Sequence, residues 1–153
     1  MKVSVINGPN LDQLGTREVE IYGKHTLKDI ENYVNNQLGT FGYKNIKCDW
    51  FQSNSEAEII GEIHRVRNDD YSILVINPAA YTHTSVAILD SLKMLEIPII
   101  EVHISNTVNR EDFRSQKITT KSSSSVIEGM GHKGYLLAIL GYLLEENNGN
   151  SNN

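Results

Sequence analysis

The sequence has almost no cysteine and no long apolar segment, and both absences narrow the class of protein. Cys48 is the single cysteine among 153 residues, which excludes an intrachain disulfide and a thiol-rich metal site. No apolar run approaches the roughly 18 residues that a membrane-spanning helix needs. A formal net charge of −5 argues against nucleic acid or an anionic membrane as the main partner. Because no signal-peptide pattern precedes the first apolar run, we expect a cytoplasmic enzyme or binding domain.

What the sequence does contain is an alternation of short β-branched runs with amphipathic segments. Strands are predicted at residues 3–6, 46–51, 73–76, 99–104 and 122–127. Helices are predicted to follow caps at Thr26, at Ser53 in a capping box with Glu56, and at Thr84 or Ser85. The third of these is predicted to end at residue 95, and a last helix is predicted over residues 135–146.

Helical connections between successive strands indicate a parallel sheet with right-handed crossovers. We therefore expect an α/β fold, a flavodoxin-like three-layer sandwich with five parallel strands in the order 2-1-3-4-5. It should form a single domain over residues 1–146, with an irregular lid loop at about residues 11–24. Residues 147–153, rich in Asn, Gly and Ser, are predicted to be a disordered tail.

Polar side chains follow the first, third and fourth predicted strands. They lie in residues 7–10, 77–85 and 103–106, and on the fourth strand Glu101 and His103 are two apart and so project to the same side. In a sheet of this order the carboxyl ends of these strands meet at one edge, at the switch point where such folds bind ligands. The sequence therefore predicts a functional site there.

Three chemistries find little support in the sequence. Residues 129–134 fit G-x-G-x-x-G, but they lie in the last strand–helix unit, where a tight turn is the simpler explanation. A metal site would need His83 and His103 to converge with an acidic residue, and no paired ligand spacing supports one. Ser85 is not in a G-x-S-x-G nucleophile elbow.

Acid–base chemistry without a cofactor remains. Tyr22 follows Arg17 on the same loop, and a neighbouring cation can hold a tyrosine in the ionised form that a base requires. The candidate acids and bases are Tyr22, His83 and His103, and the candidate cations for anion binding or for perturbing a neighbour are Arg17, Arg110 and Arg114.

Taken together, the motifs resemble those of type II 3-dehydroquinate dehydratases. The resemblance runs along nearly the whole chain and rests on residues 6–11, 14–15, 17–18, 22–23, 26–27, 52–54 with 56, 77–80, 82–85, 101–106, 110–111, 113–114 and 129–135. It implies a reversible dehydration of 3-dehydroquinate to 3-dehydroshikimate, an anti elimination through an enolate that uses no metal, cofactor or Schiff base.

The resemblance also implies roles for individual residues. Tyr22 would be the proton acceptor, and Arg17 would keep it ionised and stabilise the transition state. His103 would be the proton donor, oriented by Glu101, and Asn10 would position a water at the enolate oxygen. The implied substrate-binding residues are Asn77, His83, Asp90, Ile104, Ser105 and Arg114.

Further expectations follow from the family. Asp90 would reach the site of a neighbouring subunit in a dodecamer built as a tetramer of trimers, and the reaction would serve the shikimate pathway to aromatic amino acids. The chain departs from the family pattern at Asp12, Gln13, Val19, Ser55, Ala57 and Lys117, none of which has an implied chemical role. The alternative function is a flavodoxin-like module that binds a small molecule or phosphate without catalysis.

Overall fold

A single parallel β-sheet organises the fold. The computed structural model describes residues 1–149, with side chains to residue 144. The strands are β1 (Lys2–Asn7), β2 (Lys47–Gln52), β3 (Ile73–Asn77), β4 (Ile99–His103) and β5 (Ser125–Glu128). They pair in the order β2-β1-β3-β4-β5, and every pair is parallel, which confirms the predicted order.

Five α-helices accompany the sheet. They are α1 (Val19–Tyr22), α2 (Leu27–Thr40), α3 (Glu56–Arg67), α4 (Val86–Leu92) and α5 (Lys133–Gly149). Short 3₁₀ turns occupy Leu11–Gln13, Ala79–His83, Thr107–Asn109, Asp112–Ser115 and Thr119–Ser122. None of the helices described in residues 1–149 is long and apolar enough to cross a membrane.

Alternation along the strands divides the core into two layers. In β3, Ile73 and Val75 face one cluster, while Leu74 and Ile76 face the other, as the two-residue repeat of a strand requires. Helices α2 and α5 cover the first face, and α3 and α4 cover the second. Because both faces are buried, the central strands are almost continuously apolar.

The helix caps match the sequence prediction at α2 and differ at α3. Thr26 is the N-cap, as predicted, and it forms a reciprocal capping box with Asp29. In α3 the N-cap is Ser55, whose extended backbone lets its hydroxyl accept from the Glu58 N–H, so the predicted cap at Ser53 is wrong. The Ser53 hydroxyl instead accepts from the Ser55 N–H and donates to the Glu58 carboxylate at 2.5 Å, so it supports the turn from outside the helix.

Three predicted boundaries differ from the structure by three residues each. β5 begins at Ser125 and not at 122, because the preceding residues form a 3₁₀ turn in which the Ser122 hydroxyl donates to the Thr119 carbonyl. α4 ends at Leu92, before the predicted residue 95. α5 runs to Gly149, past its predicted end at 146, and the rest of the predicted tail, 150–153, lies outside the described residues.

Candidate active site

A cavity lies at the carboxyl ends of β1, β3 and β4, where the topology predicts a ligand site. The register places Asn7 beside Asn77, and β4 continues this edge with His103. Most of the sequence-predicted site residues line the cavity: Asn10, Arg17, Tyr22, Asn77, His83, His103, Ile104, Ser105 and Arg114, together with Thr107 and Arg110.

His103 and Glu101 form a buried pair at the end of β4. The Glu101 side chain is completely buried, and its Oε1 accepts from Nε2 of His103 at 2.7 Å. Because an ionised carboxylate can only accept, Nε2 carries a proton. This leaves Nδ1 as the ring nitrogen that can exchange a proton with a bound molecule.

Two threonines complete the surroundings of the Glu101 carboxylate. The Thr119 hydroxyl donates to Oε2 at 2.8 Å, and the Thr82 hydroxyl donates to Oε1 at 2.5 Å. Both threonines are fully buried, and their hydroxyl oxygens also lie 2.5 Å apart. Sequence reasoning missed both roles. Thr82 belongs to the polar stretch after β3, but nothing in the sequence marks Thr119.

Tyr22 on α1 is approached by two arginines. Nη1 of Arg110 donates to the Tyr22 hydroxyl oxygen at 2.6 Å. The Arg17 guanidinium lies 4.8 Å from the centre of the tyrosine ring and forms an ion pair with Glu18. The Arg110 contact was not predicted, although Arg110 was among the candidate cations, because the pairing depends on how the loop after β4 packs against α1.

These arginine contacts also shift ionisation. Burial acts to lower the pKa of Arg110, but its hydrogen bond and charge interactions with Tyr22 outweigh that effect and raise it. The hydrogen bond from Arg17 lowers the pKa of the Glu18 carboxyl. Two guanidinium groups are therefore held against the tyrosine.

A chain of buried hydrogen bonds supports the floor of the cavity. The Asn77 side-chain amide donates to the Tyr135 hydroxyl at 2.9 Å, and that hydroxyl donates to Oδ1 of Asn7 at 2.6 Å. Oδ1 of Asn77 accepts from the Ala79 N–H at 3.1 Å. Tyr135 is fully buried, and burial raises the pKa of its phenol. The orientation of the Asn77 amide is therefore fixed from β1 and α5.

His83 and Arg114 also line the cavity. Nδ1 of His83 is 2.7 Å from the Gln116 carbonyl, which can only accept, so Nδ1 carries the proton. Burial lowers the pKa of His83 from its ordinary value, which favours the neutral ring with Nε2 as an acceptor. Arg114 donates to the Glu111 carboxylate at 2.7 Å, and this contact lowers the pKa of Glu111.

Asp90 is the one predicted site residue that this chain brings neither to the cavity nor to the His103–Glu101 pair. Its side chain on α4 is 67% exposed, 3.8 Å from Lys93, and does not line the cavity.

In the part of the chain that the structure describes, no group of three His, Cys, Asp or Glu side chains is placed to hold a metal ion. In the turn over residues 129–134, Gly134 packs so closely that an added Cβ would lie 3.1 Å from Val102.

Comparison with known proteins identifies the family. Residues 1–143 match the family model described as dehydroquinase class II. The chain is 46% identical over 151 residues to a 3-dehydroquinate dehydratase of Clostridium botulinum, with 95% of each protein covered. It is 45% identical over 139 residues to one of Clostridium perfringens, covering 91% of this chain and 94% of that protein.

Solved structures agree with these matches. The type II dehydroquinase of Butyrivibrio crossotus superposes with a TM-score of 0.86 at 44% identity, covering 91% of this chain and 94% of that one. That of Propionibacterium acnes gives a TM-score of 0.85 at 40% identity, covering 93% and 94%. The chain therefore belongs to the class II dehydroquinase family.

Proposed function

We propose that this protein catalyses the dehydration of 3-dehydroquinate to 3-dehydroshikimate, a lyase reaction of the shikimate pathway to aromatic amino acids. The observation that carries the proposal is the pairing of two proton-transfer groups across one cavity. Tyr22, flanked by two arginines, lies on the segment after β1, and the buried His103–Glu101 pair lies at the end of β4.

Tyr22 serves as the base in this proposal. The proton to be removed lies next to the substrate ketone and is weakly acidic, so the base must be ionised and the enolate oxygen must be stabilised. Arg110 donates to the Tyr22 hydroxyl oxygen at 2.6 Å and the Arg17 guanidinium lies over the ring, so two cations contact the proposed base. Asn10, which lines the cavity, positions a water at the enolate oxygen.

His103 serves as the acid. Hydroxide is a poor leaving group, so the departing hydroxyl must receive a proton as its bond to carbon breaks. Glu101 accepts from Nε2 and fixes the orientation of the ring, so Nδ1 is the nitrogen that delivers the proton to the departing hydroxyl. An anti elimination needs base and acid on opposite faces of the ring, and a lid tyrosine above a histidine at a strand end can meet that need.

The remaining residues bind the substrate. Arg114 pairs with the substrate carboxylate, Asn77 and His83 hold its hydroxyls, and Ile104 with Ser105 contacts it through the backbone. Asp90 is the residue that a neighbouring subunit would supply.

We further propose that the chain assembles as trimers packed into a dodecamer in the cytoplasm and works without a cofactor. The exposed position of Asp90 on α4 supports a contact with another subunit.

The alternative, a phosphate-binding module, finds no support in the turn after β1. Pro9 has no N–H to donate, and the Gly8 N–H already donates to the Asn77 carbonyl at 2.8 Å.

The experiment is a direct assay. The conjugated enone product absorbs in the ultraviolet, so absorbance should rise when 3-dehydroquinate is added to the pure protein, and no rise would refute the function. Tyr22→Phe should abolish turnover while leaving the fold intact. The matched control is Tyr43→Phe, a tyrosine that does not line the cavity, which should retain activity. An active Tyr22→Phe protein would refute the base assignment.

A second assay separates this mechanism from one that uses a lysine Schiff base. Borohydride reduces a Schiff base to a stable amine and so traps the enzyme in an inactive form. Treatment in the presence of substrate should leave this enzyme active. Inactivation that depends on substrate would contradict the proposed elimination.

A further inference from the structure

An ion pair behind the cavity wall joins the segment at residues 114–119 to the end of β5. Nζ of Lys117 donates to Oε2 of Glu128 at 2.5 Å, and the two side chains are only 19% and 23% exposed. The Thr107 hydroxyl donates to the same oxygen at 2.7 Å. Burial acts to raise the pKa of Glu128, but the hydrogen bonds from Lys117 and Thr107 outweigh it and lower the pKa. The carboxylate is therefore held ionised.

The segment that contains Lys117 contributes one residue to the cavity lining and contacts a second lining residue from behind. Arg114 lines the cavity, and the Gln116 carbonyl accepts from Nδ1 of His83. Lys117 is the next residue after Gln116, so its position sets where that carbonyl points. A shift of the segment would move the cation that pairs with the substrate carboxylate and would release the ring that accepts from a substrate hydroxyl.

Beyond Lys117 the chain is anchored independently. The Ile118 N–H donates to the Thr82 carbonyl at 2.6 Å, and the Thr119 hydroxyl donates to Glu101. The contacts with Glu101, behind His103, are therefore restrained by hydrogen bonds other than the Lys117–Glu128 ion pair. The ion pair restrains the part of the segment that contacts the substrate-binding groups.

The other end of the ion pair is rigid. Glu128 lies opposite His103 in the parallel register of β4 and β5, so its backbone is fixed by the sheet. Thr107, the third member, is 5% exposed and lines the cavity. One carboxylate oxygen thus joins the sheet, the turn after β4 and the 114–119 segment. Fully exposed ion pairs contribute little to structure, but this one is largely shielded from water and has a second donor.

We propose that Lys117 and Glu128 are positioning residues for substrate binding, and that their ion pair fixes the 114–119 segment so that Arg114 and His83 face the substrate. The inference rests on the proposed function. Contacts to the carboxylate and to spectator hydroxyls are made alike in the ground state and the transition state. Loss of such contacts raises KM and leaves kcat nearly unchanged.

The test compares Lys117→Ser with Lys121→Ser. Lys121 is an exposed lysine in the 3₁₀ turn that follows, and it makes no contact with Glu128. With 3-dehydroquinate as substrate, Lys117→Ser should raise KM about fivefold to twentyfold with kcat within about twofold of wild type. Lys121→Ser should match wild type. Circular dichroism confirms that both proteins are folded.

Two rescue variants keep the proposal falsifiable if Lys117→Ser folds poorly. Lys117→Arg retains the positive charge and should restore KM to within about twofold of wild type. Glu128→Lys alone should raise KM, and the charge swap, Lys117→Glu with Glu128→Lys, should reverse part of that rise. A KM for Lys117→Ser equal to that of Lys121→Ser, a loss confined to kcat, or a swap no better than its single variants would overturn the proposal. An inactive wild type would instead refute the function itself.

Discussion

Removing the Thr119 hydroxyl tests whether the buried carboxylate behind His103 needs its threonine donors. Thr119→Val keeps the shape of the side chain and deletes only the group that donates to Glu101 Oε2 at 2.8 Å. Because Thr119 and Glu101 are both 0% exposed, water cannot replace the lost donor without rearrangement of the core. The change therefore removes one of the three donors of the Glu101 carboxylate and leaves Thr82 and His103.

The size of the effect follows from those contacts. A hydrogen bond to a charged group contributes about 1.5–3 kcal/mol, against about 0.5 kcal/mol or less for most surface changes. We expect Thr119→Val to lower the free energy of unfolding by about 2 kcal/mol. Since about 1.4 kcal/mol is a factor of ten in rate, a comparable disturbance of the acid should lower kcat about tenfold to thirtyfold. KM should change little, because Thr119 does not line the cavity.

The measurement pairs urea unfolding with steady-state kinetics. The matched control is Thr40→Val, which deletes an exposed hydroxyl that donates to the Asn36 carbonyl at the end of α2. Thr82→Val should behave like Thr119→Val, and the double variant should lose less than the sum of the two, because both hydroxyls serve the same carboxylate. A Thr119→Val protein as stable and as active as the Thr40→Val control would refute the reasoning, as would a defect confined to KM.

Three further perturbations test the cavity wall and floor. Burial holds the pKa of His83 below the ordinary 6.5, so the ring is a neutral acceptor at neutral pH. KM should therefore rise as the pH falls through that lowered pKa. A KM independent of pH down to about pH 5 would contradict the acceptor role. Tyr135→Phe removes the hydroxyl that accepts from Asn77, so we expect KM to rise several-fold and the free energy of unfolding to fall by about 1–3 kcal/mol in urea, and an unchanged KM would show that the amide is oriented by other contacts. Gly8→Ala would place a Cβ 2.4 Å from the Pro78 carbonyl oxygen, so it should lower the thermal unfolding midpoint, and a midpoint equal to wild type would show that the turn can move apart.

The sequence predicts the strands and the location of the site because both follow from simple periodicities. A short, β-branched run such as residues 73–76, bounded by turn residues, is typical of a buried strand, and parallel order then places Asn7 and Asn77 side by side. Glu101 and His103 are two apart on one strand, so their contact follows from strand geometry before any packing is known. These inferences need only local rules and the handedness of crossovers.

The parts that could not be predicted depend on irregular segments. Thr119 reaches Glu101 from a 3₁₀ turn between the site loop and β5, a region where no period indicates which side chains point inward. The contact of Arg110 with Tyr22 joins two loops 88 residues apart. The α3 cap was assigned to Ser53 because a capping box and a serine that supports the turn look alike in sequence. In each case tertiary packing chooses among side chains that local rules treat as equivalent.

Backbone strain distinguishes the lid from the rest of the site. In the part of the chain that the structure describes, positive φ is recorded outside glycine at Asn10, Glu18 and Ala79, with values of 65°, 34° and 52°. Each such residue costs about 1–3 kcal/mol and persists only where its surroundings impose it. The Asn10 N–H donates to the Asn54 side chain, and the Ala79 N–H donates to that of Asn77, so side chains from the ends of the sheet hold both strained residues.

Glu18 differs because its side-chain restraint is a partly exposed ion pair with the adjacent Arg17, which is a weak constraint in water. It is also the N-cap of α1, the four-residue helix that carries Tyr22. The strain at Asn10 and Ala79 is therefore held by hydrogen bonds to the side chains of Asn54 and Asn77, whereas the strain at Glu18 can relax if the Arg17 contact breaks. This difference leaves α1, which carries Tyr22, attached to the least firmly held of the three strained residues, as the proposed role of Tyr22 as a base on a lid requires.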